Sequence, residues 1–148
     1  MKAQIKSLKF FLFSIRFWQY LSIMILGNYF ATFFSYSYKT FGENDRPHEQ
    51  ISDTTLTWAA SIGSGVINGL SRIVCGTLVD RYGYKTMMNI LMVVNLVNSL
   101  VCFWAAYVPS LFFICVLLNY AVLGGFFAVF PVSVQNCYGP EFGPQIYV

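Results

Sequence analysis

Charge is what this sequence has least of. Only 10% of its 148 residues are Asp, Glu, Lys or Arg, where a water-facing domain carries about 25%. That deficit excludes a soluble enzyme, a nucleic-acid-binding protein and a disordered tail. Histidine is scarcer still, with His48 alone, so no metal site and no hydrolytic constellation can be drawn from the usual spacings. A glycine-rich phosphate loop with its lysine is missing, as is any Asn-x-Ser/Thr acceptor. No metal, cofactor, nucleic-acid partner or enzymatic activity is therefore expected. Cys75, Cys102 and Cys115 fall in apolar stretches and Cys137 lies just beyond one. Their spacing fits no zinc or redox motif, so they read as small buried hydrophobes.

What the chain does have is apolar length. Residues 17–38, 54–71 and 86–140 contain no charged side chain, and the last of these stretches is 55 residues long. A bilayer core of about 30 Å is crossed by roughly 20 helical residues. The longest stretch would extend about 80 Å as one helix, so it must fold back. Pro109-Ser110 is the punctuation near its middle, and a proline suits the first turn of a new helix. The sequence therefore predicts an all-α membrane protein with helices at 17–38, 55–79, 87–107 and 111–131. Connections are expected at 39–54, 80–86 and 108–110, with flanks at 1–16 and 132–148. The lipid bilayer is the first partner this implies.

Positive charge sets the expected orientation. Lys2, Lys6, Lys9 and Arg16 precede the first helix, and Arg81 and Lys85 follow the second. The other side has Lys39 and Arg46, diluted by Glu43, Asp45, Glu49 and Asp53. Both termini are expected in the cytoplasm, with the acidic loop carrying His48 on the opposite side. The first apolar run is longer than a signal-peptide core and holds Gln19, Asn28 and several tyrosines, so it reads as a retained helix.

Within the second helix, Ser61, Gly65 and Gly69 recur every four residues, a spacing that lets a neighbouring helix approach closely. Asn68, Arg72, Gly76 and Asp80 form another stripe at the same spacing. An arginine at that depth costs about 2.5–3.5 kcal/mol to insert. Either Arg72 snorkels to the interface or pairs with an acid, or its planar fork binds an anionic ligand. No Asp or Glu lies within the other apolar stretches to neutralise it. That favours an anion or a partner segment. Asn95, Asn98 and Ser99 of the third helix read as interhelical hydrogen-bonding groups. Asn28, Thr32 and Tyr36 in the first helix, and Asn119 and Tyr120 in the fourth, suit either such bonds or a solute cavity. Gly124-Gly125 permits close packing or a flexible point.

The loop after the second helix carries Gly76, Leu78, Asp80, Arg81, Gly83 and Lys85, which match G-x-L-x-D-R-x-G-x-R/K at every specified position. Asp80 is suited to accept N–H groups at the start of an adjacent helix, and Gly83 to make the tight turn. This loop resembles the signature loop of the major facilitator superfamily of secondary transporters. Tyr38-Lys39-Thr40-Phe41-Gly42, Gly63-Ser64, Asn68-Gly69 with Arg72, Gly124-Gly125 leading to Phe130-Pro131, Tyr138-Gly139 and Phe142-Gly143 to Tyr147 extend the likeness. They look like the second half of oxalate–formate antiporters, which are related to monocarboxylate transporters.

The resemblance implies helices seven to ten of a twelve-helix fold that moves small organic anions by alternating access. Arg72 would be the carboxylate ligand, with Asn68, Asn28, Tyr36 and Tyr120 as further cavity residues. Proton-coupled members place an Asp where this chain has Asn68, which favours exchange or uncoupled movement. The other helices of such a fold are not in this chain. It is expected to be part of a longer product, to associate with another transporter chain, or to be a non-functional remnant.

Overall fold

A computed structural model describes residues 14–44, 51–105 and 107–147. The flank at 1–13 and the loop segment 45–50, with Arg46 and His48, lie outside the described residues. Four helical rods account for almost everything described, and no strand occurs among the described residues. They are α1 (Ile15–Asn44), α2 (Asp53–Tyr82), α3 (Tyr84–Ala105) and α4 (Pro109–Tyr147).

Three stretches are long and apolar enough to cross a membrane: Asp53–Tyr82, Tyr84–Ala105 and Pro109–Gly139. By length and composition the chain is a membrane protein. The helix expected at 17–38 forms and runs to 30 residues. It is not one of those three, because Gln19, Asn28, Thr32 and a run of Ser and Tyr from Ser35 to Tyr38 dilute its apolar content. A second correction concerns α4, whose apolar stretch does not end at Pro131. Pro131 deletes one N–H bond, the one to the Phe127 carbonyl, without ending the helix. Regular geometry continues to Gly139, whose φ of 84° breaks the rod.

The connections follow from local chemistry. Ser52 caps α2 by accepting a bond from the Thr55 N–H at 3.3 Å, and Asp53 places negative charge in its first turn, where the dipole favours it. Lys39 reaches Asp53 at 2.7 Å and joins the end of α1 to the start of α2. Both side chains are exposed, so the pair adds little stability. Gly83 alone separates α2 from α3. Its φ of 80° is open to glycine, and its N–H donates to the Val79 carbonyl at 2.9 Å. Pro109 opens α4 as expected.

One part of α2 departs from α geometry. Ile62–Ile67 is π-helical, and the Asn68 N–H bonds the Gly63 carbonyl five residues back. The Ile-Gly-Ser-Gly sequence supplies little side-chain bulk to resist the wider turn. This places Gly63 against the Tyr120 ring, where a Cβ would collide.

α4 is the central rod. Of its most apolar window 56% is buried, against 17% for α2. Its C-terminal half packs Val122, Phe126 and Val129 on Cys75 and Val79 of α2 and Met87, Met88 and Leu91 of α3. Its other half packs Phe112, Val116 and Tyr120 on Phe34, Tyr38, Leu56, Ala59 and Cys102. Cys75 and Cys102 are buried free thiols within these clusters, Cys115 is a third buried free thiol, and Cys137 is exposed.

Three buried asparagines tie the rods together. Asn95 donates to the Gly27 carbonyl at 2.7 Å, joining α3 to α1. Asn98 donates to the Cys115 carbonyl at 3.3 Å, joining α3 to α4. Asn119 of α4 donates to both the Ala31 carbonyl and Ser35 Oγ of α1, at 3.0 and 2.9 Å. Ser99 instead bonds the Leu96 carbonyl of its own helix. Bonds of this kind contribute about 0.6 kcal/mol each in a membrane. Asn119→Ala is therefore expected to destabilise the bundle by about 1 kcal/mol, while Ser99→Ala leaves it unchanged. Helicity followed through an SDS titration checks both, and equal midpoints would refute the clamp.

Candidate functional site

Arg72 stands on the α-helical part of α2, ten residues before its end at Tyr82, or about 15 Å along the axis. Its Nε donates to Asn68 Oδ1 at 3.1 Å. Its Cζ lies 5.2 Å from the centre of the Phe127 ring on α4, within the range of a cation–π contact. No acidic group pairs with it among the described residues. The guanidinium is thus held at Nε and over one face, and the residue as a whole is exposed. A guanidinium presented this way can take a carboxylate through two parallel bonds.

The close approach of α2 and α4 makes the arrangement possible. It is set at Gly124, where a Cβ would run into Ser71 Oγ and the Asn68 carbonyl oxygen. Ser71 is in turn fixed by donating to that same carbonyl at 2.9 Å. Phe127 lies three residues beyond Gly124, on the same face of α4. The ring also lines a narrow crevice with Asn28, Ile23 and Met24 of α1 and Met88 of α3.

Of the residues expected at a solute site, Arg72 and Asn68 come together, and Asn28 reaches the crevice behind Phe127. Asn28 Oδ1 is buried without a hydrogen-bond partner there. Tyr36 and Tyr120 do not join them. Tyr36 is 84% exposed and lies about 12 Å further along α1 than Asn28. Tyr120 is buried in the core against Gly63, so its expected place on a cavity wall is corrected. Phe127 was not singled out by the sequence. Its only signal is its position one turn after Gly124.

The glycine pairs also divide differently from expectation. Gly124 and Gly125 are both buried at contacts. Ser61, Gly65 and Gly69, expected to pack a neighbouring helix, are exposed, and a Cβ on Gly65 or Gly69 would meet nothing within 4 Å. Gly76 is equally open. These positions of α2 are therefore not used by α1, α3 or α4.

Gly83 makes the turn expected of it between α2 and α3. Arg81 lies over the Tyr82 ring at 5.6 Å and Lys85 over Tyr84 at 6.0 Å. Asp80 is exposed and bonds no helix start among the described residues. Its carboxylate stands in the last turn of α2, at the negative end of the dipole.

No protein-family model matches the chain, and neither does any curated protein or solved structure.

Proposed function

We propose that the chain forms part of a secondary transporter of the major facilitator type, and that Arg72 is its carboxylate ligand. The observation that carries this reading is an arginine deep in an apolar helix, fixed by Asn68 and Phe127 and paired with no acid among the described residues. Small mono- or dicarboxylates are its substrates. In this reading α1 to α4 stand for helices seven to ten, both termini face the cytoplasm, and the loop after α1 faces outward. The function is binding and translocation rather than catalysis. Asn68 occupies the place of the proton-carrying Asp in coupled relatives, which favours exchange or uncoupled movement.

Two features support a surrounding of further helices. Ser61 is exposed and Gly65, Gly69 and Gly76 have open space beside them, and Asp80 sits where the dipole of its own helix opposes it. A helix start from elsewhere would relieve both. Alternating access rocks one half of such a fold against the other, so these four helices supply a site rather than a cycle. The same open positions also support a second reading, a non-transporting chain that docks on an intact transporter.

Equilibrium binding in lipid nanodiscs tests the first reading. Labelled formate, lactate and oxalate are expected to bind saturably and to be displaced by other carboxylates but not by acetamide. Absence of saturable binding would overturn it. Co-purification with an intact transporter, without carboxylate binding, would support the second.

A further inference from the structure

We infer that Phe127 is a positioning residue for Arg72, an inference that rests on the carboxylate-site reading above. A free arginine side chain samples many rotamers, and an anion gains its two parallel bonds only from the subset that presents both terminal nitrogens. Asn68 removes one degree of freedom by holding Nε at 3.1 Å. It leaves the guanidinium plane free to turn about that bond. The Phe127 ring, at 5.2 Å, supplies the missing restraint by favouring one orientation of the cation over its face.

The rest of α4 is arranged around this contact. Gly124, one turn earlier, lets the rod come within reach of α2. Pro131, four residues later, lacks the N–H that would bond the Phe127 carbonyl. The ring is therefore carried where one helical bond is absent, and it lies between Arg72 and the crevice with Asn28. Phe127 remains 40% exposed, so the ring is not chiefly a core residue.

The quality that matters is the π-face, not bulk. Phe127→Leu keeps apolar volume and removes the face; Phe127→Trp keeps and strengthens it. Binding of labelled formate and lactate to the full chain in nanodiscs is expected to weaken five- to tenfold in Phe127→Leu. In Phe127→Trp it stays within twofold of the parent. In an Arg72→Ala background, Phe127→Leu should produce no additional loss, as a double-mutant cycle requires. Nitrogen NMR of the Arg72 guanidinium gives a readout that a merely structural role would not move. Its ring-current shift should vanish in Phe127→Leu and return in Phe127→Trp. If Arg72→Ala binds like the parent, the carboxylate-site reading fails and takes this inference with it. If Arg72→Ala loses binding while Phe127→Leu retains it, or Leu and Trp lose it equally, the positioning role alone is refuted.

Discussion

Arg72→Ala is expected to weaken carboxylate binding at least a hundredfold while making the chain more stable. The two effects have separate causes. Each charge-assisted hydrogen bond from a guanidinium to a carboxylate contributes about 1.5–3 kcal/mol, and the fork makes two of them. A loss of about 3–6 kcal/mol corresponds to between two and four orders of magnitude in affinity. In the other direction, removing an arginine from an apolar helix relieves an insertion cost of about 2.5–3.5 kcal/mol. Part of that cost is already offset by Asn68 and the Phe127 ring, so a smaller gain is expected. Arg72→Lys should fall between, losing about tenfold, because it keeps the charge and gives up the planar pair of donors. Isotherms for labelled lactate and oxalate, read beside SDS midpoints for the same three proteins, check both signs. Loss of binding together with loss of stability would mean that Arg72 is a structural residue and that the anion site lies elsewhere.

Apolar length and helix ends were readable from the sequence because they depend on charge gaps and on single residues with one dominant effect. Pro109 and Gly83 stand at their expected turns for that reason. Pro131 misleads, since a proline within a membrane helix removes one bond without stopping the rod. Packing faces were harder to read. Ser61, Gly65 and Gly69 share a face only if every residue between them advances the helix by 100°, and the π-helical turn at Ile62–Ile67 breaks that rule. The turn delivers Gly63 to the core and leaves Gly65 outside. Asn68 and Arg72 lie beyond this turn, in regular α geometry, so their i, i+4 contact forms as expected. Phe127 stayed hidden because it is one of fifteen phenylalanines, and apolar patterning does not say which ring faces a cation.

Gly124→Ala is expected to be far more damaging than the same methyl addition at Gly125 or Gly69, although these are its near neighbours in sequence or space. At Gly124 the new Cβ meets the Asn68 carbonyl oxygen and Ser71 Oγ. A backbone carbonyl can yield only if α2 moves. Overpacking of this kind costs about 1–3 kcal/mol. At Gly125 the nearest atoms are the Leu91 methyl at 2.7 Å and Cys75 Sγ at 3.0 Å, and the leucine end can rotate away, so the cost there is smaller. At Gly69 nothing lies within 4 Å, and alanine should stabilise the helix by up to about 1 kcal/mol through propensity alone. SDS titration is expected to rank the midpoints as Gly69→Ala above the parent, then Gly125→Ala, then Gly124→Ala. The same displacement of α4 moves Phe127 away from Arg72, so Gly124→Ala should also weaken lactate binding. Gly125→Ala should leave binding within about twofold of the parent, a difference under about 0.4 kcal/mol. Equal midpoints for Gly124→Ala and Gly125→Ala would show that the Asn68 carbonyl is not the closest point between the two helices. The assignment of Gly124 as the spacer for the arginine site would then fall.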